Sequence, residues 1–452
     1  MELRGTNVLI VGLARSGVAA AVELSGMGAR VTANDIRPEK EMEETVEKLS
    51  SKGIKLVLGG HPLTLLDDTD LIVVSPGVPS DIPLLNEAKK RDIPVVSELE
   101  VGYWFTKAPV IAVTGTNGKT TTTTLIGEIL KNDGKNISVA GNIGTPLIQE
   151  ADKNGSKDYI VVEVSSFQLE NIVHFKPKIS VILNITEDHL NRHKTFENYI
   201  EAKARILENQ DEEDFAVLNY DDPIVASLAE RARSRVVFFS RKQELPRGIS
   251  VKNGVIVIRE NGDIYPILKA KELGIKGSHN LENALAAVAV AWITKTNLNN
   301  LAETLKDFRG VEHRMEYVDT IDGVKFINDS KGTNPDAAQK ALEAVDGPII
   351  LIAGGYDKKV DFRPFVRSFF GRVKKVILLG ATADQIERTA REEGFFEVEK
   401  AASMREAVEI AKRSAEPGDT VLLSPACASW DMFANFEERG RVFKEAVRSL
   451  KA

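Results

Sequence analysis

The chain is poor in several things at once, and each shortage narrows what it can be. Among 452 residues there is one cysteine, Cys427, so an intrachain disulfide is excluded and stability has to come from packed cores. Its longest wholly apolar stretch, Ala284 to Ile293, is about half the length of a membrane-spanning helix. Basic residues form no block: 59 Lys and Arg against 66 Asp and Glu give a net charge of -7, so the electrostatic footprint of a nucleic-acid or anionic-membrane binder is missing. Arg4 and Arg15 flank only a short apolar run, too little for a signal peptide, and cytoplasm is the expected compartment. There is no fixed-period repeat. What remains, 43% hydrophobic and 28% charged, is the balance of an ordinary globular protein, long enough for roughly three domains.

The first stretch with a chemistry of its own is Ala112-Val-Thr-Gly-Thr-Asn-Gly-Lys-Thr-Thr121. Val110 to Val113 reads as a buried strand, Gly115 and Gly118 allow a tight turn, and Thr120 to Leu130 has helical character. Backbone N–H groups of Thr116, Asn117 and Thr121 at such a helix start face an anion, Lys119 adds a positive charge, and the Thr120 hydroxyl suits Mg²⁺. The strict phosphate-loop pattern has a glycine where Val113 stands, so the shorter Gly-x-x-Gly-Lys-Thr form carries the reading.

Before it, residues 1–97 alternate short apolar runs with amphipathic stretches, a βαβ rhythm and hence a parallel sheet covered by helices. The turn Gly12-Leu-Ala-Arg-Ser16-Gly17, followed by Asp35, is close to a dinucleotide fingerprint, but Ala14 stands where the middle glycine allows close pyrophosphate approach. That weighs against NAD and leaves other nucleotides open. Ser75-Pro-Gly77-Val-Pro79 falls at the same carboxyl edge of the sheet.

In residues 98–310, Tyr159 to Val164 is a buried strand carrying Glu163 at its tip, either a metal-site carboxylate or an acid capping the next helix. A second strand, Ile179 to Leu183, runs into Asn184-Ile-Thr-Glu-Asp188-His189, where His189 is a ligand, a substrate contact or a structural residue. Lys203 lies on a helix among apolar neighbours and reads first as a solvated lysine. Asn-Gly pairs at 253–254 and 261–262 mark hairpins and imply a small antiparallel sheet. Asn280 and Asn283 share a helix face and fit either a planar adenine or, for Asn280, a helix cap. From 311 to 452 a third α/β rhythm carries Glu312-His-Arg314, Asn328-Asp329-Ser-Lys331-Gly-Thr333, Gly354-Gly-Tyr-Asp-Lys358 and Ser424-Pro-Ala-Cys-Ala-Ser429 through Phe436. Three of these loops follow apolar strands and should gather at one sheet edge, rich in Lys, Arg and hydroxyls, as an acidic substrate requires.

Together, Gly-Thr-Asn-Gly-Lys-Thr, Glu-Val-Ser-Ser-Phe-Gln-Leu, Asn-Ile-Thr-Glu-Asp-His-Leu, His-Asn-Leu-Glu-Asn-Ala-Leu, Glu-His-Arg, Asn-Asp-Ser-Lys-Gly-Thr-Asn and Ser-Pro-Ala-Cys-Ala-Ser resemble the Mur ligase family, in family order over essentially the whole chain. The short first domain and the Ser-Pro-Ala-Cys-Ala-Ser loop favour its D-glutamate-adding branch. The resemblance implies an α/β protein of three domains in series: Rossmann-like (1–97), a central ATPase-type domain with the small antiparallel sheet (98–310), and a Rossmann-like C-terminal domain (311–452). It implies ATP-dependent joining of D-glutamate to UDP-MurNAc-L-Ala, by a monomer. On this reading Ser16, Asp35, Ile36, Arg37, Ser75 and Gly77 hold UDP, while Asn142 and His189 face the muramoyl-alanine end. Lys119 and Thr120 take ATP and Mg²⁺ with Glu163, and His189 is a further candidate at the metals. Lys203 becomes a CO₂-derived carbamate and metal ligand, which reverses its reading as a solvated lysine. Asn280, Asn283, Arg314 and Asp329 meet the nucleotide, Thr333, Lys358, Ser429 and Phe436 grip D-glutamate, and Lys331 stabilises charge at the reacting centre. The rivals are a ligase for another amino acid, a phosphate-loop kinase and a nucleotide-binding scaffold.

Overall fold

The computed structural model describes residues 3–142, 144–151, 155, 157–345, 347–357 and 360–451. The chain divides into two compact units, Met1–Phe308 and Arg309–Ala452.

The first unit contains two sheets. In the first, β1 (Asn7–Val11), β2 (Arg30–Asp35), β3 (Lys55–Leu58), β4 (Leu71–Val74) and β5 (Val95–Ser97) are all parallel, in the order β3-β2-β1-β4-β5. Strands buried on both faces must be apolar throughout, which is why Val8 to Val11 and Leu71 to Val74 are unbroken apolar runs. The order reverses at β1, so the loops after β1 and β4 face each other across a crevice at the carboxyl edge.

The second sheet runs β14-β13-β12-β11-β10-β9-β6-β8-β7. Its members are β6 (Val110–Thr114), β7 (Ile137–Gly141), β8 (Tyr159–Glu163), β9 (Ile179–Ile182), β10 (Phe215–Asn219), β11 (Arg235–Ser240), β12 (Gly248–Lys252), β13 (Val255–Glu260) and β14 (Asp263–Lys269). Helices Lys119–Asn132 and Ser278–Ile293 cover one face through Ile126, Ile129, Leu130 and Ala287; Leu169, Phe175 and Tyr199 cover the other. Both Asn-Gly hairpins form, with φ of +49° and +75° at Asn253 and Gly254 and +52° and +91° at Asn261 and Gly262. They do not make a separate sheet, as the sequence suggested. β12 pairs in parallel with β11, so the antiparallel strands extend the central sheet and bury Ile249, Ile256 and Ile258 in its core.

The second unit is one six-stranded sheet, β15-β16-β20-β17-β18-β19, formed by β15 (Glu316–Ile321), β16 (Val324–Asn328), β17 (Ile349–Ala353), β18 (Val373–Leu378), β19 (Val398–Lys400) and β20 (Thr420–Leu423). Only β15 is antiparallel. Because β16, β20 and β17 are adjacent and parallel, the three loops that follow them do gather at one edge. Among the described residues no helix is long and apolar enough to cross a membrane.

Candidate active site

Between β6 and the helix starting at Lys119, Gly115 and Gly118 adopt φ of +150° and +86°, a path open to glycine. A Cβ on Gly118 would lie 2.2 Å from Asn283 Oδ1, so the second helix brings Asn283 against the cradle. Asn283 Nδ2 donates to Asn280 Oδ1 at 3.2 Å and Asn280 Nδ2 to the Lys276 carbonyl; Asn280 lies inside its helix and caps nothing. The loop after β9 braces the cradle. Asn117 N–H donates to Asn184 Oδ1 at 2.8 Å, Thr186 N–H to Thr116 Oγ1 at 3.0 Å, and the Thr116 and Tyr199 hydroxyls are 3.2 Å apart. Thr120 is buried at the helix start, with Thr121 beside it.

Two lysines converge on one carbonyl. Lys119 Nζ donates to the Gly115 and Thr116 carbonyls at 2.8 Å each, and Lys203 Nζ donates to the same Gly115 carbonyl at 2.7 Å. Lys203 is 1% exposed, with its Nζ 4.7 Å from the Tyr199 ring centre, so it is not the solvated helix lysine that spacing alone suggested. Burial first, then the Lys119 ammonium, push its pKa well below the usual lysine value against opposition from Asp188 and Glu163, which favours the neutral amine.

Glu163 at the tip of β8 is 2% exposed. One oxygen accepts from Asn142 Nδ2 at 2.8 Å; the other, Oε2, is buried without a hydrogen-bond partner. It does not cap the next helix, which Ser165 and Gln168 close with a reciprocal capping box. A buried carboxylate oxygen left over beside a phosphate cradle fits a hard cation. Among the described residues no three His, Cys, Asp or Glu side chains cluster as a metal site, so a cation here would draw on Thr120, Glu163 and oxygens supplied by ligands. His189, with φ +53°, is half-exposed, 3.7 Å from Asp188 Oδ2 and 4.9 Å from the Phe167 ring.

At the crevice of the first sheet, the Ser75 hydroxyl donates to the Gly12 carbonyl at 2.6 Å, and Gly17 packs so tightly that a Cβ would be 1.9 Å from that oxygen. Ser16 opens the helix from Arg15, Gly77 has open space around it, and Ile36 is 66% exposed. Asp35 is bound up internally by Leu13 N–H and by Arg37. Arg15 reaches the Asn142 carbonyl at 3.0 Å, tying this crevice to the residue that holds Glu163.

In the second unit, Asp329 follows β16 and accepts from the Ser424 hydroxyl, which follows β20, at 2.8 Å; burial raises its pKa to about 6. Arg314 is near enough to oppose that rise. Lys331 N–H is fixed by the His313 carbonyl and its Nζ lies 6.0 Å from the Phe436 ring, while Thr333 N–H donates to the Lys331 carbonyl. Ser429 is buried, and the Phe436 carbonyl accepts from the Ser330 hydroxyl. Lys358 and its neighbour Lys359 lie outside the described residues.

What ties this edge together is a residue the sequence did not single out. Arg439, 2% exposed, donates Nε to Ser330 Oγ at 3.0 Å, Nη2 to the Ser330 carbonyl at 2.7 Å and Nη1 to the Cys427 carbonyl at 3.0 Å. It sits in a helix with three other arginines and lysines, so its burial leaves no mark in the pattern. Arg439→Lys cannot reproduce the planar fork, and a buried acceptor left bare costs about 1–3 kcal/mol. Urea unfolding should show that loss; an unchanged midpoint would mean the guanidinium does not hold the two loops.

Three family descriptions match the chain in order: Mur ligase MurD-like N-terminal domain over residues 6–97, Mur ligase middle domain over 113–291, and Mur ligase glutamate ligase domain over 313–427. Proteins named UDP-N-acetylmuramoylalanine–D-glutamate ligase are similar over their whole length: that of Thermoanaerobacter pseudethanolicus is 52% identical, covering 100% of both chains, and that of Pelotomaculum thermopropionicum 54%, covering 98% of both. Among solved structures, UDP-N-acetylmuramate-alanine ligase of Thermotoga maritima superposes with a TM-score of 0.56 at 21% identity, covering 98% of this chain and 99% of that one. A pseudomurein peptide ligase type C of Methanothermus fervidus gives 0.56 at 22%, covering 99% and 100%; at these identities the likeness is one of fold.

Proposed function

We propose, from the fact that the chain belongs to the Mur ligase family, that it is an ATP-dependent amide ligase adding D-glutamate to UDP-N-acetylmuramoyl-L-alanine in peptidoglycan precursor synthesis. The observation that carries the choice of substrates is full-length identity of 52–54% to ligases bearing that name.

A carboxylate and an ammonium do not condense at neutral pH; the carboxylate first needs a leaving group. The alanyl carboxylate attacks the γ-phosphorus of ATP, giving an acyl phosphate and ADP. The neutral amine of D-glutamate then displaces phosphate and loses a proton. Positioning and charge neutralisation do most of this work. Residues 115–121 cradle the β- and γ-phosphates, with Lys119 released from the loop carbonyls onto them. Within the first unit, Asn280 and Asn283 meet the nucleotide. Thr120, Glu163 and a carboxylated Lys203 would hold Mg²⁺, which when bound neutralises phosphate charge. Support for the carbamate is the neutral, buried amine: it attacks CO₂ and releases a proton, becoming an anion in place of a repelled cation. His189 is the candidate acceptor of the amine proton. The 1–97 segment takes the UDP end and 311–452 the amino acid, through Thr333, Lys358, Ser429 and Phe436, with Lys331 at the reacting centre. The reaction draws on ATP and a UDP-linked precursor, which places it in the cytoplasm; the working form is a monomer.

The acyl phosphate is tested with substrate carrying ¹⁸O in the alanyl carboxylate. One labelled oxygen should appear in each phosphate released. Unlabelled phosphate would mean that water, not the carboxylate, takes the phosphoryl group.

A further inference from the structure

Beside the segment proposed to hold the uridine end stands a histidine with one ring nitrogen committed and the other bare. His61 lies just past β3 at the carboxyl edge of the first sheet, in a loop docked by Gly59 N–H on the carbonyls of Asp35 and Arg37, at 3.1 and 3.0 Å. Its Nδ1 is 2.5 Å from Oδ1 of Asn34, a side chain with no solvent exposure. Asn34 Nδ2 donates to the Val57 and Gly60 carbonyls, both at 2.7 Å, and this fixes the amide: flipped, its oxygen would face two carbonyl oxygens. Oδ1 is therefore an acceptor, and Nδ1 carries the hydrogen. In the neutral ring, Nε2 is then a lone pair with no N–H. Burial lowers the His61 pKa against the pull of Asp35, favouring that neutral ring.

Asp35, where a ribose acceptor was expected, has nothing left to give. Oδ1 accepts from Arg37 N–H and Nε at 2.9 and 3.0 Å, and Oδ2 from Leu13 N–H and Arg37 Nη2 at 2.7 and 2.9 Å. These donors occupy the acceptor directions of a carboxylate. A uridine nucleotide brings the uracil N3–H and the ribose hydroxyls, and each needs an acceptor once water is displaced. We infer that Nε2 of His61 accepts a hydrogen bond from the nucleoside of the UDP-linked substrate, making His61 a specificity-determining residue; the inference rests on the ligase reading for the identity of its ligand.

The test is a cycle between residue and ligand. His61→Asn keeps an amide N–H for Asn34 and removes the Nε2 acceptor. It should raise the Kd for UDP and the KM for the UDP-linked substrate about 3- to 10-fold, the worth of one neutral hydrogen bond, with kcat and the KM for ATP and D-glutamate unchanged. UDP, 2′-deoxy-UDP, 3′-deoxy-UDP and 3-deaza-UDP, which has C–H for N3–H, are then titrated into both proteins by calorimetry. The analogue lacking the donor that His61 receives should bind weakly to the wild type and lose its handicap in the variant, which tells base from sugar. The wild type gives an independent reading that does not need the variant to fold. Acidification below the His61 pKa turns Nε2 into a donor, so UDP loses its advantage over that analogue, which shares its diphosphate; Asp35, itself paired with Arg37, is the charged group that acts on the ring. UDP binding with equal handicaps in both proteins and at both pH values overturns the inference and leaves the ligase reading standing. Absence of any UDP binding overturns both.

Discussion

Replacing Lys203 by arginine should leave a folded protein with almost no ligase activity. The side chain is buried, it shares the Gly115 carbonyl with Lys119, and its pKa is driven well below that of an ordinary lysine. A second cation on the carbonyl that holds the Lys119 ammonium would be repelled; Lys203 escapes this as a neutral amine, and a permanent guanidinium cannot. Guanidinium also cannot take up CO₂, so the anion proposed to hold Mg²⁺ beside Glu163 is lost. A metal clamp on transferring phosphate is worth several kcal/mol, so kcat should fall on the order of 10³-fold. Lys203→Ala should fall as far and recover in part when formate or acetate fills the space. Ligase assays with and without added carboxylate settle it: normal activity in Lys203→Arg would show that no anion is needed there.

Lys119→Ala should be as severe for a different reason. Lys119 Nζ is held by the Gly115 and Thr116 carbonyls of the cradle, and on the proposed reading it turns from them onto the phosphates, where charge develops. Removing it strips the transferring phosphoryl group of its fixed counter-charge, a loss on the order of 10³-fold in kcat. Single-turnover formation of ADP is the readout, because it isolates phosphoryl transfer from amine attack. ADP formed at the normal rate in Lys119→Ala would place the lysine outside the phosphate site.

Much of the fold is legible because parallel strands buried on both faces must be apolar throughout, and runs such as Leu71 to Val74 stand out against amphipathic helices. Short edge strands are not marked in this way. β5, β15 and β19 have three to six residues, and β15 and β19 have little apolar burial to announce them. The hairpins were readable from Asn-Gly, but their attachment to β11 was not, since pairing depends on which sheet edge is left open. At the site, residue types at strand ends marked Glu163 and Asp329. Whether a carboxylate has an oxygen to spare is a matter of neighbours: Glu163 has one and Asp35 has none. Lys203, Arg439 and His61 show the same limit, because burial and tautomer are set by segments distant in sequence.

The central claim is the pairing of one acceptor with one amino acid, and a phosphate-release panel tests it most directly. UDP-MurNAc and UDP-MurNAc-L-Ala, each with ATP and Mg²⁺, are crossed with L-alanine, D-glutamate, L-glutamate, L-lysine and diaminopimelate. Phosphate should appear with UDP-MurNAc-L-Ala and D-glutamate together, and L-glutamate should be inactive. Equal turnover with diaminopimelate or L-lysine, or phosphate release that needs no amino acid, would contradict it.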